Sequence, residues 1–151
     1  MPAPLFRQIF HATDFSRASA KAFTTAIEVT RATGAALTIA HVLTQVLPVV
    51  TGEDPVLPET YERVHAVTRA AAQKELDRLV AKAEAAGIRT TGVLLTGAPH
   101  DAIVRALKSR RSDLAVIGTH GRTGLARVFV GSVAARVVAL APCPVLTVRG
   151  R

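Results

Sequence analysis

Leu114-Ala115-Val116-Ile117-Gly118-Thr119-His120-Gly121 joins a short apolar run to a glycine-containing turn, and Gly131-Ser132 opens a new apolar-periodic segment ten residues later. A continuous apolar run stopped by glycine suits a strand covered on both faces, which is how strands of parallel sheets read. Working back from it, Pro99 sits as a first-turn residue of a helix carrying Ile103, Val104 and Leu107, with Lys108, Arg110 and Arg111 at its C-terminal end. Thr91–Leu95 reads as the strand before that helix. Working forward, Ser132–Ala141 reads as a helix with Val137, Val138 and Leu140, stopped by Pro142, and Val145–Val148 as a last strand.

The first half repeats the alternation. Leu5–Ala12 is an apolar run broken by Asp14-Phe15-Ser16, and Ser16 can cap a helix with Phe23, Ile27 and Thr30 on one face that ends at Gly34. Ala36–Leu43 is a second buried strand, followed by a loop over Thr44–Pro58 with three prolines. From about Glu59 to Ala86, Tyr61, Val64, Ala71, Leu79 and Ala83 recur at helical spacing, and Gly87 stops the run. Five strands alternating with four helices predict an α/β fold with a mainly parallel sheet and helices on both faces. Ligands in such open sheets sit outside the carboxyl ends of the strands, where the winding reverses.

Composition restricts the functional classes. The 151 residues, 49% hydrophobic and 20% charged, fit one globular domain over 1–151. No apolar run approaches the ~18 residues of a membrane span, and the start MPAPLFRQIFHATD lacks a secretory apolar stretch, so a cytoplasmic protein with no membrane contact is expected. The lone Cys143, flanked by Pro142 and Pro144, fits a reducing compartment and a small core residue. The net charge of +8 is lopsided: residues 1–100 hold 10 Lys+Arg against 9 Asp+Glu, and residues 101–151 hold 9 against 2. Aromatic residues are 4% of the chain with no tryptophan, so stacking platforms for nucleic acid are poorly supplied and a small phosphorylated ligand is the better match.

Glycines in the Gly118–Ser132 segment permit close backbone approach, so several N–H groups can converge on an anion, and the helix beginning at Ser132 offers free N–H groups to a phosphate. The segment is neither G-x-x-x-x-G-K-[ST] nor a G-x-G-x-x-G turn after the first strand, which removes Walker-type and Rossmann-type mechanisms. The spacing G-x2-G-x9-G-[S/T], filled by Gly118, Gly121, Gly131 and Ser132, resembles the signature of ATP-binding universal stress proteins. Ala12-Thr13-Asp14-Phe15-Ser16, His41-Val42 and Pro142-Cys143-Pro144-Val145-Leu146 are similar to that family's first, second and closing strand ends.

The resemblance implies a sheet of order 3-2-1-4-5 with the nucleotide between the ends of strands one and four. It further implies ATP, or another adenine nucleotide, with Mg²⁺. On this reading Ala12, Thr13 and Asp14 line the adenine and ribose side and Val42 packs near the base. Gly118 meets the ribose, and Gly121, Gly131, Ser132 and Val133 hold phosphates. His120, Arg122 and Arg127 are added as phosphate partners from charge alone. The family also implies a homodimer through the last strand; the alternative is a monomer whose edge is protected by Arg149 and Arg151.

Asp14 at a strand end could coordinate Mg²⁺, bind a ribose hydroxyl or accept N–H bonds in its own turn. An acid pair near strand one and an aspartate after strand three, as in receiver domains, is missing. His11 and His41 read as core or pocket-wall residues, His65 and His100 as solvent-facing, and no His/Cys cluster has zinc spacing. No G-x-S-x-G elbow surrounds Ser132, which leaves it capping and phosphate roles. Three functions remain open: a nucleotide-dependent regulatory module in the stress response, a slow ATPase or nucleotide phosphotransferase, and a nucleotide-free stress protein acting through protein contacts.

Overall fold

The computed structural model describes residues 3–45, 57–120 and 131–150. The elements run β1 (Gln8–Ala12), α1 (Arg17–Thr33), β2 (Ala36–Leu43), α2 (Pro58–Ala85), β3 (Thr90–Thr96), α3 (Pro99–Ser109), β4 (Leu114–Gly118), α4 (Ser132–Leu140) and β5 (Val145–Val148). The five strands form one parallel sheet in the order β3-β2-β1-β4-β5. The winding reverses at β1, whose two neighbours are β2 and β4.

Local chemistry sets the ends of α1. The Ser16 side chain accepts from the Ser19 amide at 3.2 Å, and Gly34 closes the helix in the left-handed conformation at φ 69°. β1 begins later than its apolar run: Leu5 is 79% exposed, and the Asp113 carboxylate takes the amides of Arg7, just before the strand, and of Gln8, its first residue.

Strand alternation divides the core into two layers. Ile9, Leu37, Ile39, Leu114 and Val116 pack with Phe23 of α1 and Leu76 and Leu79 of α2. Phe10, Ala40, Ala115 and Ile117 pack with Ile103 and Leu107 of α3 and Val137 of α4. Cys143 is partly buried against the second layer, and burial pushes its thiol pKa up.

Two apolar patterns depart from expectation. On α2 the buried residues are Ala72, Leu76, Leu79 and Ala83, whereas Val64 is exposed and Tyr61 only half-buried. On α4 only Ala134 and Val137 are buried; Val138 is turned off their face by its one-residue step, and Leu140, the last residue of the helix, is exposed although it lies three residues beyond Val137. The expected loop at Thr44–Pro58 lies mostly outside the described residues, and Pro58 is the first residue of α2.

Helix α2 lies close on β3 over Gly92. A methyl group there would come within 2.8 Å of Val80 Cγ2 and 3.1 Å of Leu76 Cγ. Gly92→Ala is therefore expected to destabilise the fold by about 2 kcal/mol through overpacking, read as a lower urea midpoint with an unchanged slope. An unchanged midpoint would show that α2 can move off the strand without cost.

Candidate functional site

The carboxyl ends of β1, β2 and β4 open into a cleft of about 870 Å³, within the usual range for small-molecule sites. Past the end of β1, the Thr13 amide continues the ladder to the Ala40 carbonyl at 2.9 Å. Thr13 Oγ1 lies 2.7 Å from Ser19 Oγ and accepts from the Phe15 amide at 3.0 Å. Asp14 Oδ1 accepts from the Ser16 amide at 2.9 Å, closing a tight turn that holds its carboxylate at the cleft.

That turn puts Phe15 at φ 61°, a conformation uncommon for an aromatic residue. Its ring stacks on His41 with centroids 4.3 Å apart, and His41 Nδ1–H donates to the Thr13 carbonyl at 2.8 Å. The ends of β1 and β2 are thereby tied together, and His41 forms part of the cleft wall as expected.

On the β4 side, the Thr119 amide donates to the Val148 carbonyl at 2.9 Å, and the Gly131 amide donates to the Thr119 carbonyl at 2.6 Å. This second bond clips the start of α4 against the end of β4. A side chain at Gly131 would press a Cβ to within 3.0 Å of the Thr119 carbonyl oxygen. Gly131 supplies no side-chain cap, so the first amides of α4 keep their capacity to bind an anion. His120 Nδ1 lies 2.8 Å from Thr119 Oγ1, which orients the imidazole at the rim.

Ala12, Thr13, Asp14, Val42, Gly118, His120, Gly131, Ser132 and Val133 all line this one cleft. Gly121, Arg122 and Arg127 lie outside the described residues. The cleft also contains Phe15, Ser19 and Thr119, together with Val67, Thr68 and Glu75 of α2 and Pro99 and Ile103 of α3. Nothing local in the sequence marks the α2 residues; only the sheet order brings that helix to the cleft.

Two histidines differ from expectation. His65 and His100 are half-buried rather than solvent-facing: His65 stacks with Tyr61 at 6.2 Å, and His100 Nε2 lies 3.2 Å from Arg136 Nη1 and 3.4 Å from Asp101 Oδ1. His11 is fully buried behind the cleft, with Nδ1–H donating to the Val116 carbonyl at 2.9 Å and Nε2 without a hydrogen-bond partner. Burial pulls its pKa down to about 4, against smaller opposing effects of that bond and of Asp14.

Residues 5–149 match the model of the universal stress protein family. The chain belongs to that family. Among universal stress proteins, one from Thermus aquaticus is 36% identical over 145 residues, covering 96% of this chain and 100% of the relative. Another from Methanocaldococcus jannaschii is 37% identical over 90 residues, covering 60% of this chain and 53% of the relative. Universal stress protein UspA from Lactobacillus plantarum has the same fold at a TM-score of 0.81 and 26% identity, covering 95% of this chain and 97% of that one. A universal stress protein solved in complex with cAMP superposes at a TM-score of 0.67 with 25% identity, covering 97% of this chain and 99% of that one.

Proposed function

We propose that this universal stress protein binds an adenine nucleotide, ATP with Mg²⁺ in the first instance, in the cleft between the ends of β1 and β4, and that occupancy serves regulation in the stress response. The observation that carries this reading is the uncapped start of α4, clipped through Gly131 and Thr119 to the end of β4 beside the Asp14 turn. Support comes from the relative solved with cAMP. Ala12, Thr13 and Asp14 take the adenine and ribose side and Val42 the base. Gly118 takes the ribose, and Gly121, Gly131, Ser132 and Val133 take the phosphates, with His120, Arg122 and Arg127 adding positive charge or donors.

Among the described residues no group of three or more His, Cys, Asp or Glu side chains could hold a metal. Mg²⁺ would therefore draw most of its ligands from phosphate and water, with Asp14 as the protein carboxylate, a division usual for this ion. When bound, the ion neutralises phosphate charge. The remaining work of binding falls to the amides of α4 and the walls of β1 and β2.

Calorimetric titration with ATP, AMP and GTP, each with and without Mg²⁺, tests the reading. Saturable, adenine-selective binding is expected, and no binding of any of the three would overturn it. A slow ATPase is the second reading, because His120 is oriented at the cleft rim by Thr119. Phosphate release at saturating ATP is expected to stay at background; turnover that disappears in His120→Ala with binding retained would establish the enzyme instead.

A cytoplasmic homodimer joined through β5 completes the proposal. β5 is the sheet edge, and Leu146 on it and Val138 and Leu140 on α4 are exposed apolar side chains. Among the described residues no helix is long and apolar enough to cross a membrane.

A further inference from the structure

A second cavity of about 370 Å³ lies at the opposite edge of the sheet, against the carboxyl end of β3, and shares no residue with the nucleotide cleft. Its polar lining is Thr96 from β3 with Arg105, Ser109 and Arg110 from α3 and its end; Leu94 and Leu95 supply apolar floor. We infer that this cavity is an anion site that takes a compact oxyanion carrying two or more negative charges, with the chemistry of a phosphate group.

Charge supports the assignment first. Among the described residues the close acid–base contacts are Arg78 with Glu75 and His100 with Asp101, and neither Arg105 nor Arg110 is paired with a described acid. Residues 101–151 contain only two acids. Asp101 faces His100, and Asp113 is engaged by the amides of Arg7 and Gln8. Arg105 and Arg110 both line the site, and a guanidinium offers a planar donor fork that matches phosphate oxygens; Lys108 and Arg111 lie beside them in the sequence.

Backbone geometry supports it second. Gly97 ends β3 at φ 119°, a conformation closed to other residues, and the turn runs under Arg105, whose Nη2 would be 3.4 Å from a methyl group at Gly97. The guanidinium therefore lies over the strand end instead of reaching along the helix. Ser109 Oγ–H donates to the Ala106 carbonyl at 3.2 Å, whereas Thr96 adds a hydroxyl at the strand end. The cavity sits at the carbonyl end of α3, where the helix dipole opposes an anion, so both arginines are needed to outweigh it. The site is independent of the nucleotide reading.

The test is an amide NMR titration of the full chain with inorganic phosphate and with glycerol 3-phosphate, against sodium chloride at matched ionic strength. Saturable shifts at Thr96, Gly97, Ser109 and Arg110 are expected with both phosphates and not with chloride. Arg105→Gln and Arg110→Gln, both at exposed positions, are each expected to weaken binding by about tenfold and to leave ATP titrations unchanged. Tighter binding of the ester assigns the cavity to a phosphorylated metabolite, and equal binding assigns it to free phosphate. Shifts reproduced by chloride, shifts centred on Gly118 and Ser132 instead, or affinities unaltered in both variants would overturn the assignment.

Discussion

Gly131→Asp is expected to weaken ATP binding by about 100-fold while leaving the sheet and α4 folded. Gly131 holds the N-cap position of α4 with extended backbone at φ −55° and ψ 153°, which an aspartate can adopt. Its carboxylate would accept from the amides of the first turn, the same donors proposed for phosphate, and would add a negative charge beside the ligand. Hydrogen bonds to charged groups contribute roughly 1.5–3 kcal/mol each, and 1.4 kcal/mol is tenfold, so loss of one or two such bonds gives about 100-fold. Aspartate is also a good helix cap, so α4 itself gains rather than loses. Lost affinity then cannot be blamed on a melted helix, provided the Thr119 carbonyl 3.0 Å from the new Cβ yields a few tenths of an ångström.

Gly131→Ala separates crowding from charge, since it brings the same Cβ without the carboxylate. Calorimetric titration of the two variants, with circular dichroism to confirm the fold, is the measurement. A loss in Gly131→Ala equal to that in Gly131→Asp would assign the effect to crowding. Unchanged affinity in both would remove the start of α4 from the nucleotide site.

The sheet was legible where strands are written as continuous apolar runs bounded by glycine or proline. Ala36–Leu43 and Val145–Val148 are strands over the expected residues, and Ser16 and Gly34 bound α1 as their chemistry requires. The strand order followed from family resemblance, since periodicity reports faces and not neighbours. Misreadings fall where an element extends beyond its packing partner. Helix α2 is 28 residues long, and its buried side chains begin only at Ala72, so Tyr61 and Val64 carry apolar spacing without a core to face. At β1 the apolar letters of Leu5 and Phe6 precede the strand, which starts at Gln8.

The candidate site was legible to the extent that it follows strand ends. The Asp14 turn, Val42 and the Gly118 and Gly131 corners meet in one cleft because all lie at the same end of parallel strands. The stacking of Phe15 on His41 was not legible, because it depends on a positive φ at an aromatic residue that no local pattern announces. Val67, Thr68 and Glu75 were hidden for a different reason. Their place at the cleft depends on where α2 passes the end of β2, a tertiary fact with no mark in their own spacing.

His11 gives the largest expected pH effect on stability. Its ring is wholly enclosed, 5.8 Å from Phe23, with Nδ1–H given to the Val116 carbonyl and no acceptor at Nε2 for a second proton. The native pKa is about 4 against 6.5 for the exposed side chain. Above pH 6.5 the ring is neutral in both states and the native fold is undisturbed. As the pH falls from 6.5 to 4, the unfolded chain binds a proton that the native chain refuses, so stability declines by about 3 kcal/mol. Carboxylates of the chain also titrate in acid, so wild type alone does not isolate the effect. His11→Gln keeps an N–H that can reach the Val116 carbonyl and removes the titration. Urea unfolding from pH 7 to pH 4 is expected to show the variant losing about 3 kcal/mol less than wild type, whatever packing cost it carries at pH 7. Parallel stability curves would show that the folded protein accepts a proton at His11 without strain, and that the enclosed ring is no obstacle to acid.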